Sequence, residues 1–460
     1  MEQHPPPFIS NRDALATSPL RRDALAIVEA GIASAHPRSV VPRWVRREDE
    51  TLLVGADRYP LGPGRVYVIG GGKAAGSMAE ALEQVIGPER ITAGLVNMLP
   101  GPWRTRRIRQ HPATHPEPGR GSVHGAEQML ALTADLTPDD LVVCLISGGA
   151  SAMLEAPAPG VTLRDQQRLT RRLLRSGATI AEINTVRRHL SRTKGGRLAQ
   201  HLQPAHVVTL LISDHIGGRL EVIGSGPTLP DPTTFADAVA VLHRYGLWER
   251  APRAIRDHLT AGAEGRLPDT PKPGDPCFAR SRAYVLADTA TAVEGMRQAA
   301  RARGFSDVLV LGYQIAGEAR EAARVLGPVL SHAYRELAPG ASRAVLFGGE
   351  MTVTIRGRAG RGGRGQEFAA ALLPEIAGLR ECVVAAMGSD GADYVPGVGG
   401  ALVDDTIQER AQAAGIDLEA VLADHDTLEL HQRLGSLALM VPTGTNVCDL
   451  FVCLLRKGRA

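Results

Sequence analysis

The chain reads as an α/β protein of two domains, the first a doubly wound parallel sheet and the second a smaller, mixed α/β fold. Three observations predict this. Short, wholly apolar runs such as 141–146 and 207–212 alternate with segments of helical spacing, the pattern of strands buried on both faces. A Pro- and Gly-rich stretch at 267–276 interrupts that alternation and reads as a linker, after which the pattern restarts. Glycine or polar turns follow four of the apolar runs, where ligands bind in open α/β sheets. The expected domains span 13–262 and 280–457, with no convincing sequence repeat between them.

Residues 1–12 open on Met1-Glu2-Gln3-His4-Pro5-Pro6-Pro7 and read as a tail, without the apolar stretch of a signal peptide. Helical spacing begins at 13–35. A strand at 66–69 enters Gly70-Gly71-Gly72, and a helix at 74–86 leaves it. There follow a strand at 93–98, a helix at 122–134, a strand at 141–146, helices at 163–174 and 180–190, and a strand at 207–212. Beyond the linker come a strand at 283–286, a helix at 289–302, a strand at 308–311 and a helix at 318–333. The runs 345–347 and 352–355 flank Gly348-Gly349-Glu350 and predict a hairpin. A helix at 367–377 and a strand at 383–387 complete the reading.

Hydrophobic content of 44% and charged content of 22% are globular values, and 460 residues are ample for two cores. A net charge of +3 gives no global argument for nucleic acid or membrane, and aromatic content of 4% weakens base stacking. The longest apolar runs are too short to span a bilayer. Cys144, Cys277, Cys382, Cys448 and Cys453 are odd in number and form no CxxC pair, so neither a zinc knuckle nor a disulfide framework is indicated, and a reducing cytoplasm fits.

Only four of the 52 basic residues are lysine, and two of these adjoin glycine turns: Lys73 after Gly70-Gly71-Gly72, and Lys194 before Gly195-Gly196. A compact ammonium beside bare backbone is a natural phosphate or carboxylate site; the bland alternative is a solvated lysine in a tight turn. The first turn is no Walker A loop, since Tyr67 stands where its first glycine belongs and Ala74 where its hydroxyl belongs. Gly70, Gly72 and Gly76 give a loosened dinucleotide spacing, and the next strand ends at Asn97-Met98 without the acid that holds a ribose. Phosphate binding survives this test and NAD binding is disfavoured.

Further candidates line the other strand ends: Ser147, Gly148, Gly149 and Ser151 after one, Asp214 after another, and Asp390 after a third. Asp214 and Asp390 are the candidate carboxylates for Mg²⁺, which takes one or two carboxylates plus substrate phosphates; the alternative for each is an N-cap or turn aspartate. Arg187-Arg188-His189 forms a basic group with Lys194, His189 itself reading as a capping or core histidine and His111 and His115 as turn residues. Arg356, Arg358, Arg361 and Arg364 place four arginines in nine residues. This is an anion-gripping loop at a helix N-terminus or a solvated basic loop.

Taken together the motifs resemble a known family. Gly72-Lys73-Ala74, Leu145-Ile146-Ser147-Gly148-Gly149, Asn184-Thr185-Val186-Arg187-Arg188-His189-Leu190-Ser191 with Lys194-Gly195-Gly196, and Ser225-Gly226-Pro227-Thr228 with Asp231 look like the N-terminal domain of class II glycerate 2-kinases. Gly348-Gly349-Glu350 with Thr352-Val353, Gly362-Gly363-Arg364 with Gln366-Glu367, and Thr443-Gly444-Thr445-Asn446-Val447 with Asp449-Leu450 look like that family's C-terminal MOFRL domain.

The resemblance implies a Rossmann-like first domain, an active site in the cleft between the domains, and transfer of phosphate from ATP, with Mg²⁺, to the 2-hydroxyl of D-glycerate or a related small 2-hydroxy acid. It implies Lys73 and Arg364 as active-site residues; the reading adds Asp214 and Asp390 as candidate metal ligand or base, and candidate substrate or phosphate contacts from Gly72, Ser147, Gly148, Gly149, Ser151, Arg188, Lys194, Glu350, Gln366, Glu367, Thr443, Thr445 and Asn446. Partners would be small molecules, without nucleic acid or membrane, and a homo-oligomer is possible.

The chain departs from the family at Gly365 (usually Asn), Ala150 (usually Gly) and Gly119 (usually Asp). It also lacks the Thr-Asp pair of the family stretch that here runs from Asp390 to Gly400. That loss predicts a preferred 2-hydroxy acid with a different tail. An NAD(P)H-dependent hydroxypyruvate reductase and a non-catalytic anion-binding relative stand as alternatives.

Overall fold

The computed structural model describes residues 7–215, 220–355, 357 and 359–458. Of the expected tail 1–12, residues 1–6 lie outside the described residues, as do two of the four loop arginines, Arg356 and Arg358, whereas Phe8 and Ile9 are buried and Ile9 bridges Met440, so this stretch is no tail. The chain divides into two compact units. Pro37–Leu286 forms the first; the second combines the chain up to His36 with the chain from Ala287 onward.

In the first unit, β1 (Val45–Glu48), β2 (Thr51–Val54) and β3 (Asp57–Pro60) form an antiparallel meander that the sequence reading missed. The main sheet comprises β4 (Val66–Gly71), β5 (Ala93–Met98), β6 (Ile108–Pro112), β7 (Leu141–Ser147), β8 (His206–Ile212) and β9 (Ser281–Ala287). Its order is β6-β5-β4-β7-β8-β9, and β6/β5, β5/β4, β4/β7 and β7/β8 all pair parallel. Counted from β4, that is 3-2-1-4-5-6, the doubly wound order of dinucleotide-binding folds. Strand order reverses between β4 and β7, so a crevice opens at their C-terminal ends.

The flanking helices start where the sequence supplies caps. Thr162, Thr179 and Thr234 each accept a hydrogen bond from the backbone N–H three residues on, and Asp165, Glu182 and Asp237 reach back to complete capping boxes. Both faces of β7 are buried, which explains its unbroken apolar run.

The second unit is built on β10 (Asp307–Glu318), β11 (Ser342–Thr352), β12 (Cys382–Gly388), β13 (Val398–Asp404), β14 (Leu437–Leu439) and β15 (Asp449–Arg456), in the order β10-β11-β15-β12-β13-β14. Only β10 and β11 pair parallel; the remaining pairs are antiparallel. Phe451 of central β15 stacks on Phe347 at 4.5 Å and meets Phe368 edge-on at 4.9 Å, which anchors this core.

Three expectations change. The helix read at 13–35 is two helices, Arg12–Leu15 and Pro19–Ser34, split at the Ser18 cap. The longer one packs on helix Thr289–Ala302, with Gly31 against Met296 and Gly295 against Ser34, and Arg21 pairs with Asp404 at 2.5 Å. The chain therefore enters the first unit at 37 rather than 13.

The 267–276 stretch lies within the first unit rather than between units. Thr270 is buried and donates to Asp231, and Asp269 bonds His189. The hairpin read around Gly348-Gly349-Glu350 is instead one continuous strand, β11. Its glycines serve close approach rather than a turn: a Cβ at Gly349 would lie 1.9 Å from the carbonyl oxygen of Ile315 on β10.

Gly349→Ala must push β10 from β11, because the obstructing atoms are backbone. The expected cost is about 2 kcal/mol or more, read as a lower chemical-denaturation midpoint. An unchanged midpoint would show that the strands separate freely.

Candidate active site

The first unit gathers its candidates at the crevice between β4 and β7. Gly70 (φ +153°) and Gly72 (φ +136°) adopt conformations L side chains rarely take, and added Cβ atoms would stand 2.0 Å from the Leu145 carbonyl oxygen and 2.3 Å from Ser147 Oγ. The turns after β4 and β7 are stitched together. Lys73 N–H donates to the Gly148 carbonyl at 2.8 Å, and Ala74 N–H donates to Ser147 Oγ at 3.0 Å. Ser147 is buried, so its hydroxyl holds the turn.

The half-buried Lys73 side chain runs beside Gly149, where a Cβ would meet its Cγ at 3.3 Å and the His115 ring at 3.1 Å. Gly149 (φ +83°) opens the short helix Ala150–Met153, whose first amides have no helical partner upstream. Ser151 and Ser225 hydroxyls lie 2.8 Å apart, and Ser225 donates to Asn184. Asp214 lies half-buried two residues beyond β8.

Two expected anion ligands of this unit are framework. Lys194 is fully buried, with Nζ 2.7 Å from Glu155 and donating to the Leu154 carbonyl at 3.0 Å; burial pulls its pKa down against the attraction of Glu155. Arg188 is buried, paired with Asp231 at 2.9 Å and donating to the Glu221 carbonyl. A lysine beside two glycines reads as an exposed ammonium, but those glycines instead let the chain approach neighbours closely, Gly195 against Arg188 and Asp231 and Gly196 against Phe278 and the Leu229 carbonyl. His189 is buried at the end of helix Ile180–Arg188 between Thr185 and Asp269, the core role expected of it. His111 sits on β6, not in a turn.

In the second unit the candidates meet at the start of helix Arg364–Ile376. The Arg364 guanidinium bonds Glu350 at 2.6 Å and Asp449 at 3.2 Å. Burial works against its charge, but Asp449 and Glu350 more than offset that and raise its pKa. The helix N-terminus was expected to bind an external anion; the chain fills it itself. Asp393 accepts from the N–H groups of Gly365 (3.1 Å) and Gln366 (2.9 Å) and from the Gln366 side chain (3.0 Å).

Gln366 and Glu367 are thereby framework residues, both buried; Glu367 is held by Arg320 and by His425 at 3.0 Å. Thr443 and Thr445 are buried, their hydroxyls donating to the carbonyls of Ser389 (2.6 Å) and Ala35 (2.8 Å), with Asn446 buried beside them. Asp390 is half-buried and accepts from Ala392 N–H at 2.9 Å. Gly365, the departure from Asn, sits where a Cβ would approach the Ala386 carbonyl oxygen at 2.9 Å. Tyr394 holds a left-handed backbone (φ +63°) and points into solvent, 89% exposed.

Sequence reasoning left Asp393 and Asp449 out of the site. Asp449 is buried, burial pushes its pKa up to about 7 against Arg364, and its Oδ2 has no hydrogen-bond partner. Burial likewise raises Asp393, against its bonds to Gln366 and Gly365. The signal for Asp449 was present: an acid placed directly before the apolar run of β15. Among the described residues, no group of three or more His, Cys, Asp or Glu side chains is disposed to hold a metal ion.

Two family models match the chain: "Domain of unknown function (DUF4147)" over residues 23–260 and "MOFRL family" over 343–449. The chain is 36% identical to the glycerate 2-kinase of Pyrococcus horikoshii, over 96% of this chain and 98% of that protein. It is 38% identical to an Agrobacterium vitis protein named for hydroxypyruvate reductase, over 96% and 95%. The crystal structure of a glycerate kinase from Thermotoga maritima superposes with a TM-score of 0.79 at 32% identity, covering 94% of this chain and 99% of that one.

A carboxyl whose pKa is raised by folding binds its proton more tightly in the native state, so its contribution to stability falls as pH rises from the unfolded value toward the folded one. Between about pH 4 and 7, therefore, wild-type stability should fall relative to Asp449→Asn, which has no proton to lose there. Denaturation of both proteins across that range tests this. A constant difference would mean that Asp449 titrates normally.

Proposed function

Because the chain belongs to the class II glycerate 2-kinase family, we propose that it transfers the γ-phosphoryl group of ATP to the 2-hydroxyl of D-glycerate or a closely related small 2-hydroxy acid. The observation that carries this reading is Lys73 at the β4/β7 switch point, where ligands bind in open α/β sheets, held by backbone bonds to the turn after β7. Its ammonium would take phosphate charge, beside the backbone donors of Gly148 and Gly149, the Gly72 N–H being given to the Asn97 carbonyl. Arg364 would grip a carboxylate or phosphoryl oxygen, its orientation set by Glu350 and Asp449.

In the transfer the 2-hydroxyl oxygen bonds to the γ-phosphorus as the bond to the ADP oxygen breaks, and the hydroxyl proton passes to a carboxylate or to solvent. Because the transition state is loose, positioning and electrostatics outweigh a strong base.

Mg²⁺ needs only one or two carboxylates beside substrate phosphates, and Asp390 and Asp449 supply two that act on each other, with one buried oxygen of Asp449 lacking a partner. Asp390, with Asp449 beside it, would hold the ion, Asp214 being the candidate of the first unit; the ion would neutralise phosphate charge. A reductase reading is not favoured, because β5 ends on Asn97-Met98, where the Asn97 amide donates to the carbonyls of Ser122 and Met153 and no acid is offered to a ribose. Five unpaired, buried cysteines accord with a cytoplasmic setting.

A coupled ADP-release assay over a panel of small 2-hydroxy acids tests the reading. ADP should form with glycerate or a close relative, and kcat/KM across longer and branched acids reveals whether the altered 390–400 segment redirects preference. ADP release with no member of the panel would remove the kinase assignment.

Lys73→Ala should lower turnover at least about a hundredfold with the fold intact by circular dichroism, on the scale of losing one preorganised donor. Near-normal turnover would return Lys73 to the solvated surface.

A further inference from the structure

A second concentration of positive charge lies in the first unit and shares no residue with the glycine turns. It is a groove of about 850 Å³ between helices Arg120–Leu132 and Leu163–Leu174. Arg120, Arg164, Arg168 and Arg171 line it, with His124 among them and Val123 and Leu163 contributing apolar surface. Arg171 is paired with Glu117 at 2.8 Å. The guanidiniums of Arg120, Arg164 and Arg168 have no ion-pair or hydrogen-bond partner among the described residues. The one acid lining the groove, Glu127, is claimed by Arg192 at 3.3 Å.

Like charges gathered in one concavity repel, and Arg120, Arg164 and Arg168 have no paired acid among the described residues to offset them. Helix spacing sets the arrangement: 120, 123, 124 and 127 share one face of the first helix, and 164, 167, 168 and 171 one face of the second. Hydrogen bonds from Gln167 to the Pro118 carbonyl and from Arg171 to Glu117 hold the two helices in this relation. The forks of several guanidiniums are suited to the oxygens of phosphate groups, each of which accepts paired N–H bonds.

We propose that this groove binds a small polyanion carrying phosphate groups, as a site additional to the β4/β7 crevice. The ligand would take its charge complement from Arg120, Arg164 and Arg168 and rest its uncharged part on Val123 and Leu163. Two carriers supply this chemistry, a nucleoside triphosphate and a phosphorylated hydroxy acid. The assignment does not depend on the kinase reading.

The test is calorimetric titration of the full chain with inorganic pyrophosphate at low ionic strength, comparing wild type, Lys73→Ala and the triple variant Arg120→Gln, Arg164→Gln, Arg168→Gln. Groove binding should persist in Lys73→Ala and weaken at least about tenfold in the triple variant, since each lost fork removes charge-assisted bonds. The three arginines are exposed, and an unchanged circular dichroism spectrum checks that the variant folds.

A triple lysine variant keeps the charge and loses the forks, and should bind more weakly than wild type. The proposal is overturned if the glutamine variant binds within about twofold of wild type, if Lys73→Ala abolishes all binding, or if lysine restores full affinity, which would reduce the groove to diffuse attraction. Titrating Lys73→Ala with ATP and with a phosphorylated hydroxy acid shows which carrier the groove prefers.

Discussion

No side chain fits at positions 70 and 72. The chain leaves β4 so close to β7 that the carbonyl of Leu145 and the hydroxyl of Ser147 occupy the space a Cβ would need. This constraint has structural consequences around it. It lets the two turns exchange hydrogen bonds, with Lys73 and Ala74 donating to Gly148 and Ser147, so the lysine is fixed relative to the glycine turn after β7. It also sits where strand order reverses, the one place in the sheet where neighbouring crossovers part and leave an opening. Gly149 continues the same economy, its missing side chain leaving room for the Lys73 stem and the His115 ring.

The second unit solves a different problem, that of holding an arginine among acids. Asp393 spends its carboxylate on the first turn of helix Arg364–Ile376, which removes the helix N-terminus as an anion site and fixes the residue that begins it. Glu350 and Asp449 then hold the guanidinium from two strands, β11 and β15. Because Asp449 is buried, its proton is retained toward neutrality, so the local charge depends on what binds. A cation would favour the ionised form, whereas an anion on Arg364 would favour the protonated one. An ordinary surface ion pair has no such dependence.

Much of this was legible in the residues. Buried strands announced themselves as unbroken apolar runs, and helix starts as Thr-x-x-Asp or Thr-x-x-Glu, because burial and capping are local demands on composition. Helices Leu163–Leu174 and Thr289–Ala302 fall at the boundaries read from spacing. The meander β1–β3 was not read, since strands of four residues carry too short a pattern to register. Glycine was the ambiguous letter. At 70 and 72 it marks a turn against a strand, and at 348 and 349 a strand pressed against its neighbours; nothing in the local sequence separates the two uses.

The sequence by itself determined the fold class, the turn that carries Lys73, and the family motifs that include Arg364, since each depends on residues adjacent in the chain. Only the tertiary structure decided which charges are available. Lys73 and Lys194 look alike in sequence, each a lysine beside glycines, yet one is half-buried at the switch point and the other is sealed against Glu155. Asp393 and Asp449 passed as ordinary acids until their partners, up to 85 residues away in the chain, were placed around them. Burial and pairing are set by parts of the chain distant in sequence. A residue's type states what chemistry it can do, and its surroundings decide whether it does it.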